Sequence, residues 1–289
     1  YDLGLHHGVL PYYAMDFVDG SSLEEVVLRQ GPLSIGSTLE IYAKVAEGLS
    51  YAHSRSIVHK DIKPANIMIA ENEPGMGVKI LDFGIAELNE GRKQSMASNP
   101  INDLQEKEAA IIGSAAYMSP EQAQGQPLDQ RSDIYSLGCS MFETLTGVPP
   151  FQDESFQKMV DSHINQPAPL LSDITGSAVP LPLEAVIRKC LRKKQRARYQ
   201  SAADLITDLN SLLNRQDLVH AKGEQLELAR AAREEAEEKE ESKRRRKALV
   251  VPTVVLLSLI CLLGGTFAAF KFAGNFDTTS QTNTFYQGQ

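Results

Sequence analysis

The sequence predicts an α+β fold that is mostly helical, with a few short strands in its first third. Three observations carry this. Residues Tyr1–Asp19 are dense in aromatic and β-branched side chains ("GVLPYYAMDFV") and read as short strands. Two short apolar runs, Ile67–Ile69 and Val78–Leu81, flank "AENEPGMG", whose Pro and Gly suit a loop between strands. Elsewhere between Gly20 and Asn214 the apolar residues recur mainly at helical spacing.

The elements follow in order. Over Ser34–Arg55, Ile35, Leu39, Tyr42, Ala46 and Leu49 fall on one helical face, and Ser34 after Pro32 is an N-cap type. Over Asp133–Thr146, Ile134, Leu137, Gly138, Met141, Phe142 and Leu145 form a wide apolar face. Gly147 and Pro149-Pro150 then supply a stop. Asp133 on so apolar a helix is unusual, because a buried carboxylate needs partners. Two further helices fit Leu183–Leu191 and Ser201–Leu213.

Residues 215–247 are highly charged. Arg230–Glu234, Arg233–Glu237, Glu235–Lys239, Glu240–Arg244 and Glu241–Arg245 are each spaced by four, so they can pair along a helix. Its apolar residues are few for a coiled coil, so a solvated spacer is expected, with a dimerising stalk as the alternative. Leu249–Phe270 carries no charge and, at about 1.5 Å per residue, reaches roughly 33 Å, enough to cross a hydrocarbon core of about 30 Å. "KRRRK" at Lys243–Lys247 precedes it, which by the positive-inside rule puts the amino-terminal side in the cytoplasm. Residues 271–289 form a short polar tail.

The chain has 289 residues, enough for one large domain plus extensions. Its net charge of −8 argues against a general nucleic-acid surface. The three cysteines, Cys139, Cys190 and Cys261, are far apart and odd in number, which argues against a disulfide framework or a zinc site. The six histidines show no metal-ligand spacing. The first residue is Tyr, which is expected of a piece of a longer chain.

The chemistry concentrates in "HKDIKPAN", His59–Asn66. Phosphoryl transfer requires an aligned hydroxyl, cations over the phosphates and a carboxylate near the attacking oxygen. Asp61 suits the carboxylate, Lys63 the cation, and Asn66 offers an amide oxygen of the kind Mg²⁺ binds. Further on, "VKILDFG" sets Asp82 at a strand end with Gly84 behind it, a second oxygen ligand followed by a residue that permits a sharp turn.

These motifs, with "GSAAYMSPEQAQG", resemble those of eukaryotic-type Ser/Thr protein kinases, most closely the bacterial membrane-anchored group. The resemblance covers roughly residues 1–214 and is most specific from His59 to Phe151. It implies a protein-kinase-like fold with residues 1–19 as the end of a small lobe and the hinge, and 20–214 as the helical large lobe. A charged juxtamembrane segment (215–247), a transmembrane helix (249–270) and the tail would follow. It implies a signalling enzyme that uses ATP and Mg²⁺ to phosphorylate Ser or Thr of protein substrates at the cytoplasmic face of a membrane. Asp61 would be the catalytic base and Lys63 would contact the transferred phosphate. Asn66 and Asp82 would hold Mg²⁺. Met15, Asp16 and Val18 would line the adenine pocket, mostly through main chain, and Ser22 would sit near the ribose. Phe83 would dock against the helical core. Glu121 would pair with Arg198, and Asp133 would brace the catalytic loop. Ser119 to Gln122 also satisfies a capping box with Pro at the first turn.

The departures are as specific. Lys60 stands where the family has Arg, which keeps the charge but loses the bidentate fork that grips a phosphorylated loop. Residues 85–115 contain no Thr; Ser95, Ser98 and Ser114 are the hydroxyl residues of Ser/Thr type there. Activation is therefore expected to depend weakly on loop phosphorylation, with Ser95 or Ser98 as secondary sites, and Ser114 to lie by Asp61 and Lys63. No glycine-rich loop or phosphate-gripping lysine precedes the hinge, so residues 1–289 alone are expected to bind ATP poorly. A catalytically weak kinase-fold scaffold at the membrane is the alternative reading, and a homodimer through the charged helix is a possible partner state.

Overall fold

The computed structural model describes residues 2–6, 10–14, 16–70, 77–83, 113–153 and 155–242. Met15, Ser95, Ser98 and the apolar run Leu249–Phe270 lie outside them. Strands β1 (Asp2–His6) and β2 (Leu10–Ala14) pair antiparallel, with Asp2 opposite Ala14 and His6 opposite Leu10. A second antiparallel sheet joins β3 (Gly20–Ser22), β4 (Ile67–Ala70) and β5 (Gly77–Ile80), with β4 in the middle. A Cβ on Gly20 would lie 2.1 Å from the Ile69 carbonyl oxygen, so this register requires glycine.

Helix α1 (Leu23–Gln30) starts at a capping box in which Ser22 and Glu25 exchange side-chain and backbone bonds. Helix α2 (Ile35–His53) is capped by Ser34, as its sequence predicts. Short α3 (Pro120–Ala123) leads to α4 (Gln130–Thr146), the centre of the core, where Ile134, Tyr135, Leu137, Met141 and Phe142 are fully buried. It begins three residues before the expected Asp133, because the Asp129 carboxylate accepts the Arg131 N–H and supplies a cap that apolar spacing does not reveal. Gly147 ends it in the left-handed region, at φ 83°. Helices α5 (Phe156–Asn165) and α6 (Leu171–Thr175) follow, then α7 (Leu181–Cys190) and α8 (Ala202–Leu213).

Helices α2, α6 and α7 pack against α4, and α8 packs on α2 and α7. Inside, the Tyr42 hydroxyl meets the hydroxyls of Ser140 at 2.6 Å and Thr144 at 2.9 Å, satisfying three buried polar groups together. At the crossing of α4 and α7 a Cβ on Gly138 would lie 2.6 Å from the Cys190 Cβ, so the missing side chain sets how closely the helices approach. Cys139 and Cys190 are buried free thiols.

One compact unit runs from Tyr1 to Ala229, past the boundary expected at Asn214. The reason is Asp208 on α8. Its buried carboxylate accepts the N–H groups of Val219, His220 and Ala221 and the Tyr199 hydroxyl. Leu218, Ala221 and Leu228 then join the main core, and Arg192 grips Glu224 with two bonds of 2.7 and 2.6 Å. The start of the charged segment is thus docked, where charge content alone predicts a solvated spacer. In the second unit (230–289), residues 230–242 are helical and exposed, and Glu235 pairs with Lys239 at 3.3 Å as its spacing predicts. Among the described residues no helix is long and apolar enough to cross a membrane.

Candidate active site

The loop between α2 and β4 carries Asp61, Lys63 and Asn66, and the end of β5 leads to Asp82. Lys63 Nζ lies 2.8 Å from Asp61 Oδ2 and 2.9 Å from Ser114 Oγ, so one ammonium joins the carboxylate to the turn at 113–117. Asn66 donates its amide N–H groups to the Asp61 carbonyl (2.8 Å) and to Asp61 Oδ2 (3.1 Å). Its side-chain carbonyl oxygen is therefore the atom left for another partner. The Leu81 N–H donates to the Asn66 carbonyl at 2.9 Å, which ties the residue before Asp82 to the loop.

Two residues here hold left-handed backbone, Lys60 at φ 73° and Asp82 at φ 61°. For non-glycine residues this costs on the order of 1–3 kcal/mol, and such strain collects at functional sites. Both are clamped. The Lys60 N–H donates to Asp133 Oδ1 (2.7 Å) while its carbonyl accepts from Gln122 Nε2 (2.7 Å). Beside Asp82, the Leu81 carbonyl accepts from His59 Nε2 at 2.7 Å.

Asp133 explains its own presence on a buried helix. Fully buried, it accepts from the N–H groups of His59 (2.8 Å) and Lys60 and from His53 Nε2 (2.8 Å). His59 is the other keystone. A carbonyl can only accept, so Nε2 carries the proton toward Leu81, and Nδ1 accepts the Asp61 N–H at 3.3 Å. Burial holds this imidazole below its ordinary pKa, against the opposing pull of the Leu81 carbonyl and of Asp133, Asp61 and Asp82. The ring meets Phe83 at 4.5 Å between centroids, yet Phe83 stays 39% exposed, so its docking is partial.

Glu121 and Arg198 form a buried bidentate pair at 2.6 and 2.8 Å. The remaining guanidinium N–H groups reach the carbonyls of Arg192, Arg131 and Lys193, so all five donors are used. Burial alone would raise the Glu121 pKa; the Arg198 bonds outweigh it and hold the carboxyl low. Ser119 and Gln122 form the predicted capping box.

Other expected residues stand apart from this cluster. Asp16 is exposed and Val18 half-buried on the segment before β3. The Ser22 hydroxyl oxygen, expected beside a ribose, accepts the Glu25 N–H as a helix cap, which leaves its proton alone for a sugar. The sequence marks Gln122 only as a capping-box partner and His59 only as the first residue of the loop motif. Gln122 matters through a contact 62 residues away that no local pattern records, and His59 differs from an ordinary buried histidine only by what it bridges.

A family model described as protein kinase domain matches residues 9–209. A serine/threonine-protein kinase PknB from Mycolicibacterium smegmatis is 40% identical over 207 residues, covering 70% of this chain and 30% of the relative. The PknB of Mycobacterium tuberculosis is 39% identical over 202 residues, with the same coverage. The chain thus spans about 30% of the length of these relatives. Among solved structures, the M. tuberculosis PknI kinase domain superposes with a TM-score of 0.52 at 25% identity, over 74% of this chain and 70% of that one.

Proposed function

Since the chain belongs to the protein kinase family, with bacterial serine/threonine kinases among its relatives, we propose that it transfers the γ-phosphate of ATP to Ser or Thr hydroxyls of proteins. One observation carries the reading: Asp61 stands in a single loop with its carboxylate bonded by both Lys63 and Asn66. That arrangement orients a carboxylate and leaves it a free lone pair for a hydroxyl proton. Lys63 also places a positive charge where negative charge develops on the transferring phosphate.

Magnesium suits the donor set. Its usual protein sites use one or two oxygen ligands and leave the remaining positions to phosphate and water. The Asn66 carbonyl oxygen and the Asp82 carboxylate are such a pair, joined through Leu81. Among the described residues there is no cluster of three His, Cys, Asp or Glu that would form a closed protein cage. When bound there, the ion would neutralise phosphate charge. Asp16 and Val18 would offer main-chain groups to adenine, with Met15 beside them.

Membrane attachment through Leu249–Phe270, with the lobe cytoplasmic, is part of the same proposal and rests on the length and flanks of that run. The full-length protein, incubated with ATP and a generic protein acceptor, should give phosphoserine or phosphothreonine, and chelation of Mg²⁺ should stop it. Product confined to phosphotyrosine, or transfer indifferent to chelation, would refute the reading.

A further inference from the structure

The segment after α8 docks through groups that also hold Arg198. On one side of Arg198 in the chain stands Tyr199, whose hydroxyl donates to Asp208 Oδ2 at 2.9 Å. The same buried carboxylate accepts the N–H groups of Val219 at 2.7 Å, His220 at 3.1 Å and Ala221 at 2.7 Å. On the other side lie Arg192 and Lys193, whose carbonyls accept from Arg198 Nε at 2.7 Å and Nη2 at 2.9 Å. The Arg192 side chain is gripped in turn by Glu224 and reaches Glu227 at 2.8 Å, while Arg188 Nε stands 3.5 Å from Glu224. Leu218, Ala221 and Leu228 add apolar contact with the main core.

These contacts form and break together. Three successive N–H groups of the segment share one carboxylate, so its departure leaves a fully buried Asp208 with the Tyr199 hydroxyl alone and strips Arg192 of Glu224. A half-satisfied buried network is costly, which separates a docked state from a released one. Arg198 stands between the two anchors, and it pairs with Glu121 at 2.6 and 2.8 Å. The next residue, Gln122, donates to the carbonyl of the left-handed Lys60, which precedes Asp61. We propose that residues 218–228 are a regulatory strap: docked, they seat Arg198 on Glu121 and keep the loop of Asp61 in place; released, they loosen both and slow transfer. Residues 222–242 are one helix, exposed from 230 onward, so a partner that takes hold of its far end acts on the strap.

The inference rests on the kinase reading above, and its test separates the two. In the full-length protein, Glu224→Ala and Arg192→Ala each remove the grip from one end, and Leu218→Asp expels the strap from the core. Each single variant should lower kcat about threefold to tenfold, with the KM for ATP and for a protein acceptor within about twofold of wild type. The double variant E224A/R192A should fall no further than either single one, because the two changes break one contact. Hydrogen exchange of E224A and L218D should quicken in residues 119–123 and 59–63 as well as in 218–228, while helix α1 keeps its wild-type rate. Faster exchange confined to 218–228 with kcat unchanged would overturn the proposal. So would additive losses in the double variant, or exchange that quickens equally everywhere as the melting temperature falls. If the wild-type chain transfers no phosphate, the kinase reading fails, and the exchange pattern still decides whether the strap holds the loop.

Discussion

Asp133 does at a single position what the loop His59–Asn66 needs. It binds two successive N–H groups and one imidazole, and so holds Lys60 in a conformation that it would not choose alone. Asp133→Ala should cost about 3–5 kcal/mol, because it strands three buried donors, and chemical denaturation measures it. Two histidines set the response to acid. His59 and His163 are both held below their ordinary pKa by burial, so between pH 6.5 and their folded values the unfolded chain binds more protons. Their contribution is therefore complete above about pH 6.5 and is lost as pH falls, toward about 3 for His163, at roughly 1.4 kcal/mol per pH unit and site. Thermal melts from pH 7 to pH 5 should show this fall, and H163F should reduce its slope. At this scale the sequence was legible where a residue's type dictates its use: Asp61, Asn66, Glu121 and Asp133 could be singled out. The bond from Gln122 to the Lys60 carbonyl and the bridge from His59 to Leu81 could not, because they join partners far apart along the chain.

The elements are legible where apolar period and cap coincide, as in α2 with Ser34. Boundaries drifted where a polar residue did the capping, as Asp129 does for α4. The close crossing of α4 and α7 at Gly138 has no sequence signal at all, since a glycine in a helix reads only as a weak helix former. Gly138→Ala should destabilise by about 1–3 kcal/mol through overpacking against Cys190, even though alanine is the better helix former. The docked segment after α8 gives a second test. Leu218 is 3% exposed and packs in the main core, so Leu218→Ala should cost about 2–5 kcal/mol. A freely solvated spacer would tolerate the change.

On the scale of the whole molecule, one unit through Ala229 holds the loop of Asp61, its braces and the turn at Ser114. Residues 215–229 belong to that unit although charge content dominates them, because a few apolar side chains and one carboxylate decide where they lie. The proposed attachment to a membrane rests on the sequence of Leu249–Phe270. The full-length protein should stay with the membrane fraction through alkaline carbonate washing, whereas deletion of that run should release it. The central claim is that Asp61, oriented by Lys63 and Asn66, serves phosphoryl transfer. The most direct measurement is the rate of phosphate transfer by full-length Asp61→Asn beside the wild type, with folding checked by melting temperature. The account expects a fall of about 10²- to 10⁴-fold with an unchanged fold; a folded variant that transfers phosphate at the wild-type rate would contradict it.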